Sequence, residues 1–195
     1  MSKASNWIFM IHSCMTLFGA ILAFVPSVNA TGGWEPFNPR PEISPDFQFL
    51  KKGGADGKGG WLIRQGNQMG QMGAWSKTYS IVGGEYYRID ALCRGSGMSN
   101  PRANRYIEVF FEDDDKKMVI DQRTGDYNRP FYPSETEKIN GWVKFEGKVY
   151  VPKKASSAII RLFLRWEPNA KVEWTQVKFV KVQKPESRKV RLAAT

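Results

Sequence analysis

Hydrophobic and polar residues alternate with a period of two along most of this chain, the repeat of a strand with one buried face. From Trp75 to Val82, Trp75, Lys77, Tyr79 and Ile81 fall on one side and Ser76, Thr78, Ser80 and Val82 on the other. Tyr86–Arg94 places Tyr87, Ile89, Ala91 and Cys93 on one face, with Tyr86, Arg88 and Asp90 opposite. Arg105–Glu112 turns Ile107, Val109 and Phe111 inward and Tyr106, Glu108 and Phe110 outward. Trp142–Val151 alternates again and Pro152 ends it. Phe47–Leu50 and Trp61–Gln65 read as shorter strands, and Met118–Gln122 as a return after Arg105–Glu112.

Two long runs close the pattern. Ala158–Trp166 sets Ile160, Leu162, Leu164 and Trp166 opposite Arg161 and Arg165. In Val172–Val182, Val172, Trp174, Gln176 and Lys178 point one way and Glu173, Thr175, Val177 and Phe179 the other. Pro168-Asn169 separates the runs, and a long antiparallel hairpin is expected. Gly83-Gly84 predicts a tight turn, and Trp75–Arg94 should contain a second hairpin or a near-neighbour pair of strands. Residues 51–60, with five glycines, and 123–141, with two prolines, read as loops. Residues 31–46 carry four prolines and read as an extended lead-in rather than a regular element. No stretch keeps a helical period. The expected fold is an all-β sandwich of two antiparallel sheets over residues 47–183.

The first thirty residues stand outside this pattern. Lys3 gives a positive start, Ile8–Val25 is largely apolar, and Val28-Asn29-Ala30 is a small-residue cleavage pattern. Together they predict a signal peptide, removed after Ala30, in preference to a retained membrane anchor. With it would go the only histidine, His12, and one of the two cysteines, Cys14. Cys93 would then have no disulfide partner, and its place among apolar residues predicts a buried structural thiol. A localisation outside the cytoplasm or in a periplasm follows.

The 195 residues carry a formal charge of +10, almost all of it outside the leader. Residues 184–195 form a basic tail, and the rest of the charge is spread without a run of five basic residues. Nucleic-acid binding has little support from such a distribution; an acidic partner such as an anionic polysaccharide or a membrane surface stays open. Asp113-Asp114-Asp115 lacks the spaced ligands and glycine of a calcium loop and reads as a solvated turn. Without a histidine beyond residue 12 there is no Ser-His or Cys-His pair, and no two carboxylates are spaced for glycoside hydrolysis. Catalysis by this chain is not expected.

The motifs resemble a known family. Gly83–Ala91 is similar to the G-x-Y-x-hydrophobic-x-A strand of jelly-roll carbohydrate-binding modules of the galactose-binding-like kind. Trp142–Pro152 is similar to their W-x-x-hydrophobic-x-G strand, and Ala158–Trp166 with Val172–Phe179 to their closing pair. Where the family often has a double Asp before the last strand, this chain has Trp174-Thr175. The resemblance implies a jelly roll, a polysaccharide or glycan partner, and a structural calcium ion for which no ligand set is legible. Arg188–Ala194 resembles the first strand of a nitrilase-like carbon–nitrogen hydrolase, which implies a fused or neighbouring hydrolase domain.

Sugar binding needs flat apolar faces ringed by hydrogen-bonding groups. Trp75 and Tyr127, near loops, are expected as platforms, while Trp61, Trp142 and Trp174 should fill the core. Tyr86, Arg88, Tyr106, Glu108, Arg161 and Arg165 are the candidate polar and aromatic contacts. If their strands are neighbours, Arg88, Glu108 and Arg161 share one face; the plain alternative is a salt-bridged outer face. Three roles follow as expectations: a non-catalytic glycan-binding domain, a structural domain ahead of a hydrolase, and a basic surface-adhesion domain.

Overall fold

The computed structural model describes residues 31–119 and 129–186. The leader, Tyr127 and the hydrolase-like tail lie outside the described residues, as does most of the Met118–Gln122 return. Among the described residues ten strands form two antiparallel sheets, the β-sandwich that the alternation predicts and the jelly roll that the resemblance implies. They are β1 Glu35–Phe37, β2 Asp46–Leu50, β3 Gly60–Arg64, β4 Met72–Ser80, β5 Tyr86–Ser96, β6 Arg105–Glu112, β7 Ser134–Ile139, β8 Trp142–Tyr150, β9 Ser157–Arg165 and β10 Lys171–Val182. A single helical turn, α1 Pro101–Asn104, precedes β6, and Asn100 caps it through the Ala103 N–H.

One sheet runs β1-β4-β9-β6 and the other β2-β3-β10-β5-β8-β7. Neither expected long hairpin forms. β4 and β5 belong to different sheets, and so do β9 and β10. Both connections cross the sandwich, so the apolar faces of the runs they join meet across the core. Between β9 and β10 the chain turns at Asn169 (φ 62°), and the Gln65 side chain accepts from Glu167 N at 2.8 Å.

Two regular elements appear where loop or lead-in was expected. β1 pairs with β4, and Trp34 is buried against Trp61, their rings 5.2 Å apart. β7 pairs with β8 through Asn140 (φ 48°) and Gly141 (φ 79°), the left-handed pair of a two-residue hairpin turn. The acid triplet is a self-closed turn: Asp113 Oδ1 accepts from the N–H groups of Asp115 and Lys117, each at 3.0 Å.

The core lies between the sheets. From β9 come Ala158, Ile160, Leu162 and Leu164; from β6, Ile107, Val109 and Phe111; from β5, Tyr87, Ile89, Ala91 and Cys93. Burial pushes the Cys93 thiol up to about 12, so it stays protonated. Trp174 and Trp142 are core residues as expected, and Trp61 packs on the core's rim. β10 changes phase midway. Gln176 takes φ 51° and the register with β5 shifts between Thr175 and Lys178. This bulge makes Val172 and Trp174 inward before it and Val177 and Phe179 inward after it, so a single alternation cannot describe the strand.

A buried carboxylate fastens the glycine-rich loop to β10. Glu173 Oε1 accepts from Gly54 N at 2.6 Å and Oε2 from Arg94 Nη2 at 2.9 Å. A Cβ at Gly53 or Gly60 would stand 2.7 or 2.5 Å from Glu173 Oε1, so glycine is a packing demand at both positions. Thr175 Oγ1 donates to Gly59 O at 2.9 Å. Replacing Glu173 with Ala leaves the Gly54 N–H without its acceptor, and about 1–3 kcal/mol of stability should be lost. Urea unfolding of the two proteins checks this: a lowered midpoint at unchanged slope is expected.

Candidate functional site

The outer face of the four-stranded sheet gathers most of the surface aromatics and two arginines. Strand alternation dictates its members. With Ile160, Leu162 and Leu164 inward, β9 must present Arg161, Phe163 and Arg165 outward. β6 likewise presents Tyr106, Glu108 and Phe110. The register sets Glu108 opposite Arg161 and Tyr106 opposite Phe163. β1 adds Phe37, and Tyr132 comes from the segment that pairs Phe131 with Val109 at the sheet edge.

These rings form a row. Phe37 meets Phe163 edge-on with centroids 6.3 Å apart. Phe163 stacks on Tyr106 at 4.8 Å with planes 11° apart, and Tyr106 tilts against Tyr132 at 6.2 Å. Burial pushes the Tyr106 phenol up to about 12, the Arg165 charge pulling the other way.

Each arginine lies between two rings. The Arg161 guanidinium sits 3.8 Å from the Phe37 centroid and 5.3 Å from that of Phe110. Arg165 sits 4.4 Å from Tyr106 and 3.9 Å from Trp166. Both contacts are cation–π stacks. Arg165 also donates from Nε to Ala103 O at 3.0 Å and from Nη1 to Tyr106 Oη at 3.2 Å. Arg161 makes no hydrogen bond among the described residues, and its buried Nε has no partner. Burial lowers its pKa, opposed by the charges of Glu108 and Glu112. Glu108 accepts from Tyr132 Oη at 3.4 Å, and burial raises its carboxyl above the ordinary 4.5.

The expected residues divide. Tyr106, Glu108, Arg161 and Arg165 come together on this face. Arg88 and Tyr86 do not, because β5 lies in the other sheet. There Arg88 Nε pairs with Asp90 Oδ2 at 2.8 Å and Tyr86 packs on Tyr150 at 5.2 Å. Trp75 is no platform: it is 0% exposed, its Nε1 donates to Leu62 O at 3.1 Å, and Phe47 packs edge-on against it. Tyr127 lies outside the described residues.

Four residues were not singled out as contacts from sequence: Phe37, Phe110, Tyr132 and Trp166. Trp166 is 53% exposed and holds φ 61°, an uncommon conformation for a bulky side chain. The end of β9 releases it from the inward parity that Ile160–Leu164 imposes. Phe110 and Tyr132 carried a signal, the one by outward parity on β6 and the other by clustering with Phe131 in an aromatic loop.

The described residues offer no carboxylate cluster for a calcium ion. Among those described, no three Asp, Glu, His or Cys side chains converge. Glu173, the buried acid beside the glycine-rich loop, is held by Gly54 and Arg94, and Thr175 binds the Gly59 carbonyl directly.

No protein-family model matches the chain, and no curated protein matches it. Solved structures do. The tailspike protein 4 enzymatically active domain of bacteriophage CBA120 aligns with TM-score 0.54 at 10% identity, over 76% of this chain and 19% of that one. The CBM22-1–GH10 modules of Clostridium thermocellum xylanase 10B, complexed with xylohexaose, align at 0.51 and 12%, over 83% and 28%. The CBM22-1 xylan-binding domain of Paenibacillus barcinonensis Xyn10C aligns at 0.50 and 12%, over 78% and 87%. The likeness is one of fold: this chain has the sandwich of a carbohydrate-binding module. Among the described residues no helix is long and apolar enough to cross a membrane.

The raised Glu108 carboxyl predicts a pH effect. A raised acid favours the protonated folded state, so its contribution is full below 4.5 and is lost as pH rises through the folded value. Thermal melts of the wild type and Glu108→Gln from acid to neutral pH should show the wild type losing stability relative to the variant over that window.

Proposed function

We propose that this chain is a glycan-binding module that holds its ligand across the outer face of the four-stranded sheet. The observation that carries the reading is Arg161: a half-buried guanidinium fixed between Phe37 and Phe110, with no hydrogen bond among the described residues, beside the acceptor Glu108. A donor and an acceptor side by side suit neighbouring sugar hydroxyls, and the Tyr106 and Tyr132 rings supply apolar surface for the C–H side of a sugar ring. Stacking fixes the guanidinium before any ligand arrives, which lowers the entropy cost of binding. The fold adds support, since a neighbour of the same architecture is a xylan-binding domain.

The module is read as exported, on the leader pattern of residues 1–30, and as an accessory to a catalytic domain. Its Clostridium neighbour pairs the same sandwich with a GH10 module in one chain. Binding needs no proton transfer, in keeping with a chain whose single histidine lies at position 12.

Affinity electrophoresis of the purified chain in gels containing xylan, β-glucan, galactomannan or polygalacturonate tests the reading. Retardation by at least one polymer is expected. Arg161→Gln should weaken it about tenfold, the scale of one charge-assisted hydrogen bond. Tyr132→Ala, at a side chain 52% exposed, should weaken it without moving the melting temperature. Normal migration in every gel would overturn the reading.

A further inference from the structure

We infer that a cleft beside this face, between Arg102, Arg105 and Arg165, takes the carboxylate of an acidic sugar, so that the module selects uronate-bearing polysaccharides. The inference rests on the glycan reading above and names the ligand class of that site. The cleft has a volume of about 510 Å³, within the ordinary range for small-ligand sites. It opens at the start of β6, where the outer face meets the rim of the sandwich. Arg105, Tyr106 and Arg165 line it from the four-stranded sheet, and Glu135 and Phe145 from the other.

Its charges do not balance. Three guanidinium groups face it and one carboxylate, Glu135, answers them. Arg105 is 7% exposed and donates from Nη2 to Glu135 Oε1 at 3.2 Å, while its buried Nε has no partner. Arg102 Nε stands 4.0 Å from Glu135 Oε2 with its side chain 88% exposed. Arg165 directs Nε and Nη1 to Ala103 and Tyr106, which leaves Nη2 without a partner among the described residues. Glu108, whose charge also reaches Arg165, accepts from Tyr132 Oη.

A buried guanidinium with an incomplete set of acceptors is costly. A second carboxylate entering the cleft would complete the set, and arginine's planar fork matches a carboxylate better than a neutral hydroxyl. Tyr106 and Tyr132, at the same cleft, would hold the ring that carries the acid. The +10 charge of the chain would draw an anionic polymer toward it.

The test runs affinity electrophoresis at fixed salt on polygalacturonate and on its carboxyl-reduced, neutral counterpart, with soluble polyglutamate as competitor. The acidic polymer should bind at least tenfold more tightly than the neutral one. Arg102→Gln, a surface change, should cut retention on the acidic polymer about tenfold and lower the acidic-to-neutral ratio with it. Polyglutamate should compete poorly. Equal retention on both polymers overturns the inference and leaves the glycan reading standing; retention on neither overturns both. Full acid retention by the Arg102→Gln chain overturns the cleft's part in it. Competition by polyglutamate as strong as by free polygalacturonate shows charge attraction alone and likewise overturns it.

Discussion

The inward side of β9 meets the inward side of β10 across the sandwich, and this contact governs what the outer face can present. Ala158, Ile160, Leu162 and Leu164 are fully buried, and so are Val172 and Trp174 facing them within the core. A slip of β9 by one residue would exchange its two faces. Arg161 and Arg165 would then enter an apolar interior with no acid to meet them, while four aliphatic side chains went to water. Desolvating two guanidinium groups outweighs any gain a slipped ladder could offer. The register that puts Glu108 opposite Arg161 is therefore set by the core beneath it.

That dependence explains what could be read from the chain and what could not. Alternation reports whether a residue faces in or out along its own strand, and it placed Tyr106, Glu108, Arg161 and Arg165 on outward faces. It says nothing of which strand lies alongside. Arg88 has the same outward parity as Glu108 but belongs to the other sheet, because β4 leads into β5 by crossing the sandwich. Trp75 had the inward parity of Tyr79 and Ile81, and its closeness to a loop in sequence concealed that. In β10, the apolar residues pass from even to odd numbers between Trp174 and Val177. That change of parity is the trace of the bulge, visible in the sequence once a bulge is allowed for. Asn140-Gly141 between Ile139 and Trp142 is a hairpin signal of the ordinary kind, and it marks β7 despite that strand's charged composition.

The arginines of the outer face are held in an unusual way. An arginine side chain normally loses considerable rotamer freedom when fixed, and hydrogen bonds or an ion pair offset that loss. At Arg161 the Phe37 and Phe110 rings fix the group while engaging none of its N–H donors. Stacking on aromatic faces stabilises the charge and leaves the guanidinium edge open. Arg165 follows the same plan between Tyr106 and Trp166, with two of its donors directed to fixed acceptors. The aromatic row thus has a structural task, positioning cations, before it has any task toward a ligand.

The two outer faces of the sandwich differ in how their charges are held. On the six-stranded sheet, Arg88 meets Asp90 at 2.8 Å, and Lys144 meets Glu146 at 3.0 Å and Glu137 at 3.3 Å. Arg88 and Lys144 there each have an anion on the same or a neighbouring strand, so a polar group arriving at either would have to break a pair to make one. Such surface pairs contribute little to stability, yet they answer the charges of those two residues. On the four-stranded sheet the charges are flanked by rings, partly desolvated and incompletely paired. A polar ligand arriving there gains hydrogen bonds without displacing protein partners, and in a setting drier than water. The difference lies in how the arginines are held, since both faces carry charged residues at outward positions.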